Sequence, residues 1–341
     1  MLKDRITLYK QLEEKRNSKL LVYATSDRRG LETQIAPDIL SPFTNHLDII
    51  GDVEKISLLL YTRGGNTLTA WTLVNLIRNF CKDFEVIIPF NCHSAGTLIS
   101  LGANRIVMTK QATLGPIDPS VNGPLNPQVP GNNNPNAKVP VSVEFVDAYL
   151  KLAKSELNIS DQASLSTLLI NLADKIHPLT LGQVYKSKTQ IQMLAKRLLK
   201  NQNLGTEKED EIIKFLCSES GSHDYTIHRN EAKNELGLNI EKPDDDLYAI
   251  IKSIYVDIEA EMKLTEPFDP KVILANVDQK EYCFRRAIIE STGGGCNVFV
   301  SEGVLVKQTI QQSQQIPVPQ TVVKDNRQFE GWKYENLQET A

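Results

Sequence analysis

Short apolar runs alternate along this chain with stretches whose apolar residues return every three or four positions. Leu20-Leu21-Val22-Tyr23-Ala24, Ile56-Ser57-Leu58-Leu59-Leu60, Val86-Ile87-Ile88 and Ile106-Val107-Met108 are nearly unbroken apolar runs of strand length. Such runs suit strands covered on both faces. Between the second and third runs, Ala70, Leu73, Val74, Ile77 and Cys81 fall on one face of a helix over residues 68–81, with Trp71 flanking it. The pattern predicts an α/β core built from successive strand-to-helix units.

The rest of the chain changes character twice. Leu8, Tyr9 and Leu12 mark a narrow stripe on an N-terminal helix over residues 5–17, and residues 25–30 form a polar, basic loop. Residues 116–140 carry prolines at 116, 119, 124, 127, 130, 135 and 140 and the run Gly131-Asn132-Asn133-Asn134, which predicts a long mobile loop. Helical spacing resumes from residue 141 to 200, for instance in Val184, Ile191, Leu194, Ala195 and Leu198, and returns at 247–262. Strand-like runs at 287–290 and 297–300 flank Thr292-Gly293-Gly294-Gly295, a hairpin turn with neither the Lys nor the helix of a phosphate loop. Three regions follow: a core over 1–140, a helical handle over 141–262 and a small β-rich region over 263–341.

Charge and cysteine usage narrow the function classes. Lys plus Arg number 38 and Asp plus Glu 42, a net −4 over 341 residues, so bulk charge does not favour nucleic acid. The helical pair within 207–238 has the outline of a helix-turn-helix, but Glu231 and Glu235 beside Lys233 deny its second helix a basic face. No window of about eighteen unbroken apolar residues suggests a membrane span, and the charged start reads as no signal segment. Cys81, Cys92, Cys217, Cys283 and Cys296 are scattered without metal-ligand spacing, which predicts no metal and a reducing, cytoplasmic setting.

The chemistry gathers at two bends. After the 55–61 strand, Gly64-Gly65 lets the backbone turn and approach a ligand closely, and Asn66 or Thr67 can cap the following helix. After the next strand, Cys92-His93-Ser94-Ala95-Gly96-Thr97 places a hydroxyl where a small-residue helix begins. Ser94 would there have the Ala95 amide beside it, and Gly65 can supply a second donor from the neighbouring bend. That is an oxyanion site facing an alcohol.

These residues resemble a known family. Tyr61-Thr62-Arg63-Gly64-Gly65, His93-Ser94-Ala95-Gly96-Thr97-Leu98-Ile99, Ile106-Val107-Met108 and Leu114-Gly115-Pro116-Ile117-Asp118-Pro119 are similar to the serine dehydrogenase proteinases of the Clp/crotonase superfamily, related to the signal peptide peptidases. The likeness continues through Lys175-Ile176-His177-Pro178-Leu179 and Ser222-His223-Asp224-Tyr225, covering residues 20–240. It implies a Clp/crotonase-like core of repeated β-β-α units with a helical extension, a Ser94 nucleophile, and oxyanion amides at Gly65 and Ala95. It also implies a homo-oligomer acting on extended or unfolded polypeptide, with no cofactor. Arg63 replaces the proline often found before the paired glycines, and with Gly64 it is a candidate substrate contact.

A serine nucleophile needs a base. The position of the Clp-type histidine falls near Asp118 or Pro119, so the base must come from elsewhere. His177 leads and His223 follows, with Asp118 placed either to orient a base or, between Pro116 and Pro119, to hold a turn; the ring of His93 should point away from its neighbour Ser94. A lysine base is the other route, from Lys138, Lys151, Lys154, Lys175, Lys186 or Lys188, and it would have to be desolvated. Two rivals share the core: a crotonase-type acyl-CoA enzyme, which would bind coenzyme A, and a catalytically inactive assembly subunit.

Overall fold

The structure is a computed structural model that describes residues 2–117, 120–222, 224–310 and 320–335. Helix α1 (Leu2–Arg16) leads into β1 (Lys19–Thr25), α2 (Leu40–Ile50), β2 (Val53–Tyr61), α3 (Thr67–Arg78), β3 (Cys81–Ile88), β4 (Asn91–Cys92), α4 (Ala95–Leu101), β5 (Arg105–Met108) and β6 (Thr113–Leu114). Next come β7 (Ser120–Val121), β8 (Val141–Ser142), α5 (Val143–Lys151), α6 (Gln162–Lys175), α7 (Pro178–Leu199) and α8 (Thr206–Lys214). The chain continues as β9 (Ile227–His228), α9 (Arg229–Asn234), β10 (Ile240–Glu241), α10 (Asp245–Met262), β11 (Gln279–Ser291), β12 (Gly295–Ile310) and β13 (Gln320–Glu335). The architecture is mixed α/β around one large sheet.

That sheet has eight strands in the order β10-β5-β3-β2-β1-β11-β12-β13. From β10 to β1 the pairs are parallel; β11, β12 and β13 join antiparallel. The apolar runs are explained by alternation. In β2, Leu58 and Leu60 face the core holding Phe43, Leu73 and Leu98, while Leu59 and Tyr61 face the core holding Tyr9, Leu12, Ile251 and Ile254. Helices α2, α3, α4 and α7 therefore cover one face, and α1 and α10 the other.

Boundaries moved where polar residues broke the apolar signal. Helix α3 stops at Arg78, so Cys81 opens β3 instead of ending the helix, and Lys82 and Asp83 belong to the strand. The proline-rich stretch is less loop-like than its composition predicts: β7 pairs with β8, Gln128 bridges Lys138, and the buried Asn126 side chain donates to the carbonyls of Val121 and Val139. The Thr292–Gly295 turn closes the β11–β12 hairpin, as its glycines predict. Its strands reach well beyond the two short runs, and β11 lies directly against β1.

Helix α1 is held by ions as well as by its stripe, Tyr9 and Leu12 being fully buried. Arg5 is fully buried, with Nη2 donating to Glu290 at 2.6 Å and Nη1 to Glu261 at 2.6 Å and to Asp257. At the other end of the helix, Arg16 makes a two-pronged contact with Glu85 at 2.7 and 2.9 Å. Burial pushes the Glu85 carboxyl up, but Arg16, Ser57 and Lys55 outweigh it and the net shift is downward.

Candidate active site

The parallel strands end together, and the bends that leave them meet. Thr62 bridges Cys92: its N–H donates to the Asn91 carbonyl at 3.0 Å, and the His93 N–H donates to the Thr62 carbonyl at 3.0 Å. This pairing sets Gly64-Gly65 against the start of α4. Thr62 Oγ1 also accepts from the Gly64 N–H at 3.0 Å and from Thr25 Oγ1 at 2.8 Å, tying the bend to the end of β1.

Both glycines are required by space and by backbone angle. Gly64 has φ +113°, and a Cβ there would stand 2.7 Å from Ser94 Cβ and 2.9 Å from the His93 carbonyl. Gly65 has φ +145°, and a Cβ there would stand 2.3 Å from the Ile35 carbonyl oxygen. Ile35 holds this turn by donating to the Gly64 carbonyl and accepting from the Asn66 N–H, each at 2.8 Å. The Asn66 side chain then caps α3 through the Thr69 N–H at 2.8 Å.

Ser94 sits at φ +51° and ψ −113°, a left-handed conformation unfavourable for a residue with a side chain. It is half-buried, and among the described residues its Oγ has no hydrogen-bond partner. The Ala95 and Gly65 N–H groups likewise donate to no described residue. A half-buried alcohol on a strained bend thus stands beside a close-packed glycine turn, with main-chain donors left over at both bends.

The surroundings sort the other candidates. The His93 ring turns to Thr113, with Nε2 at 2.9 Å from Oγ1, and lies against Gly115. Cys92 is fully buried, and burial raises its thiol to about 12, which removes it as a competing nucleophile. Arg63 is an exposed rim residue whose Nε is 3.3 Å from Asp27 Oδ2.

His177 is not brought to Ser94. It is exposed and caps α7, its Nδ1 accepting from the Leu179 N–H at 3.2 Å. The opposite end of this 22-residue helix packs Leu198 against Gly102, at the close of α4. At about 1.5 Å per residue His177 stands roughly 30 Å from that contact. The seven-residue α4 is too short to span the gap within one chain.

The lysines offer no dry base either. Lys151 and Lys188 both pair with Asp147, at 3.1 and 2.6 Å, while Lys154, Lys175 and Lys186 are exposed. Lys138 is half-buried at its bridge to Gln128.

Asp118 and His223 lie outside the described residues, but their flanks converge on the bend. Thr97 Oγ1 donates to the Gly115 carbonyl at 2.8 Å, the Ile117 N–H donates to the Leu216 carbonyl at 2.9 Å, and β6 pairs Leu114 with Ile227. The β6–β9 ladder on the far side of 223 and the Ile117–Leu216 hydrogen bond on its near side thus tie both flanks to the segment that Thr97 of α4 holds. Sequence spacing gave no sign of this ladder, because β6 and β9 are two-residue strands separated by more than a hundred positions.

Comparison with known proteins agrees with the motifs. Residues 47–132, from α2 through the Ser94 bend, match the family model described as ClpP-like SDH-type serine proteinase. Two uncharacterized proteins of Methanocaldococcus jannaschii are similar: MJ0137 is 31% identical over 188 residues, 55% of this chain and 54% of its own length. MJ1495 is 28% identical over 185 residues, 54% of this chain and 51% of its own. The chain thus spans about half the length of the curated relatives it matches. Among solved structures, a membrane-bound stomatin-specific protease aligns with TM-score 0.38 and 15% identity, over 67% of this chain and 80% of that one. ClpP1 of Listeria monocytogenes aligns with TM-score 0.37 and 13% identity, over 69% of this chain and 99% of that one. Among the described residues no helix is long and apolar enough to cross a membrane.

Proposed function

We propose that the chain is a serine-type peptidase that cleaves extended polypeptide through an acyl-enzyme at Ser94. The observation that carries this reading is the left-handed Ser94 beside the Gly64-Gly65 turn, with the Gly65 and Ala95 amides unspent. Ser94 Oγ attacks the peptide carbonyl as its proton passes to the base, and the two amides bind the oxyanion that forms. Collapse breaks the carbon–nitrogen bond, and the amine leaves with the proton from the base. Water, deprotonated by the same base, then hydrolyses the ester and restores Ser94.

For the base we propose His223, oriented by Asp118. The support is the β6–β9 ladder and the Ile117–Leu216 hydrogen bond, which tie the flanks of both residues to the segment beside Ser94. The active form is proposed to be a homo-oligomer whose α5–α7 helices contribute to subunit contacts. None of the residues of α6 is buried, and Leu169 and Ile170 on it are exposed. Hydrolysis of an unfolded protein by the full chain tests the activity. Cleavage that survives in Ser94→Ala contradicts it.

A further inference from the structure

A recess of about 590 Å³ lies between the end of α10 with the segment after it and the first half of β11. That volume is within the range of small-ligand sites. Its notable feature is Arg28, which is only 8% exposed and yet has no carboxylate within ion-pair distance among the described residues. Nε donates to the Glu266 carbonyl at 2.7 Å, and the two η nitrogens have no partner among the described residues. The guanidinium lies 5.6 Å from the Phe284 ring centre. Buried guanidinium groups normally face a carboxylate, so this one is fitted for an anion not supplied by the chain.

The rest of the wall defines what accompanies the anion. Phe284 stacks with Tyr282 at 4.6 Å and meets Phe268 edge-on at 5.0 Å, giving an aromatic floor. Met262, Val272 and Ile273 add aliphatic surface. The Glu261 carboxylate also borders the recess, but it is engaged by Arg5 and Arg285 at 2.6 and 2.8 Å. The other lining charges are Lys263, 3.8 Å from Glu266, with Asp269, Lys280 and Glu281, so the wall is balanced in charge and Arg28 is its buried cation. Strand β1 pairs with β11 only as far as Thr25 opposite Ala287, so residues 279–285 leave main-chain groups on that side for an extended chain.

We propose that this recess binds a carboxylate carried on an apolar or aromatic body, with the C-terminal residue of a peptide as its ligand. The carboxylate takes two hydrogen bonds from the Arg28 η nitrogens, and the last side chain rests on Phe284. Asp27, the residue before Arg28, lies 3.3 Å from Arg63, the residue before Gly64, and the recess shares no lining residue with the Ser94 bend.

Titration calorimetry on the full chain tests this with a tripeptide ending in phenylalanine, its C-terminal amide, and free hydrocinnamate. The acid should bind at least about tenfold more tightly than the amide. Arg28→Met should remove that difference, with its melting temperature recorded to confirm folding. Val272→Trp, at an exposed mouth residue, should weaken binding without touching Arg28, and Ser94→Ala should leave it unchanged. Tighter binding of the tripeptide than of hydrocinnamate identifies a chain end as the ligand; equal binding identifies a free acid and retains the carboxylate site. Equal affinity for acid and amide, or no binding of either acid at millimolar concentration, overturns the proposal.

Discussion

Gly64 lies so close to Ser94 that a methyl group on it would stand 2.7 Å from the serine Cβ. The contact joins the bend after β2 to the bend after β3 and fixes Ser94 against its neighbouring glycine turn. Gly64→Ala meets both this clash and an unfavourable positive φ. The variant should react with a fluorophosphonate about a hundredfold more slowly, the scale of losing one oxyanion donor. Labelling rates at matched helical content by circular dichroism check this.

Ser94 adopts its conformation against its own preference. A non-glycine residue in the left-handed region costs about 1 kcal/mol or more. Ser94→Gly should therefore raise stability to urea by about 1 kcal/mol while abolishing hydrolysis, and Ser94→Ala should abolish hydrolysis without that gain. A Ser94→Gly variant no more stable than Ser94→Ala would show that the bend is unstrained.

Much of this bend was legible in the sequence. Paired glycines and a run of small residues have few uses beyond close backbone approach, so Gly65, Ser94 and Ala95 could be placed together before any contact was known. The ladder that carries the neighbours of Asp118 and His223 was not legible, because two-residue strands leave no periodic trace. His177 was attractive as a histidine following an apolar helix, yet a sequence does not show how far along a helix its packing contact falls. Arg5 and Arg28 escaped notice because charge ordinarily marks surface, and only tertiary contacts reveal a buried guanidinium.

Arg5 links α1 to β11 through Glu290, both side chains being fully buried. Removing one partner strands the other charge. Arg5→Met should destabilise the protein by about 3–5 kcal/mol, and adding Glu290→Gln should recover part of that loss. Urea denaturation of the two single variants and the double variant gives the coupling directly.

His46 supplies a pH dependence of known sign. Nδ1 lies 2.7 Å from Ser291 Oγ and Nε2 lies 3.1 Å from Asn297 Oδ1. Ser291 Oγ also accepts from the Gly294 N–H at 3.0 Å, so its own proton is free to be donated to Nδ1 of the neutral ring. Burial lowers the pKa, opposed by the Asn297 and Ile289 contacts. The unfolded chain then binds the proton more readily, so this contribution is complete above the unfolded value of about 6.5 and declines as pH falls through it towards the folded value. Wild type should lose stability over that interval, and His46→Gln should show a flatter profile in the same urea titration.

The most direct measurement is mass mapping of the adduct formed by the full chain with a fluorophosphonate. A single modified residue at Ser94, absent in Ser94→Ala and strongly slowed in Gly64→Ala, is the predicted result. Unchanged labelling in Ser94→Ala, or modification at another residue with Ser94 untouched, would contradict the assignment of Ser94 as the nucleophile.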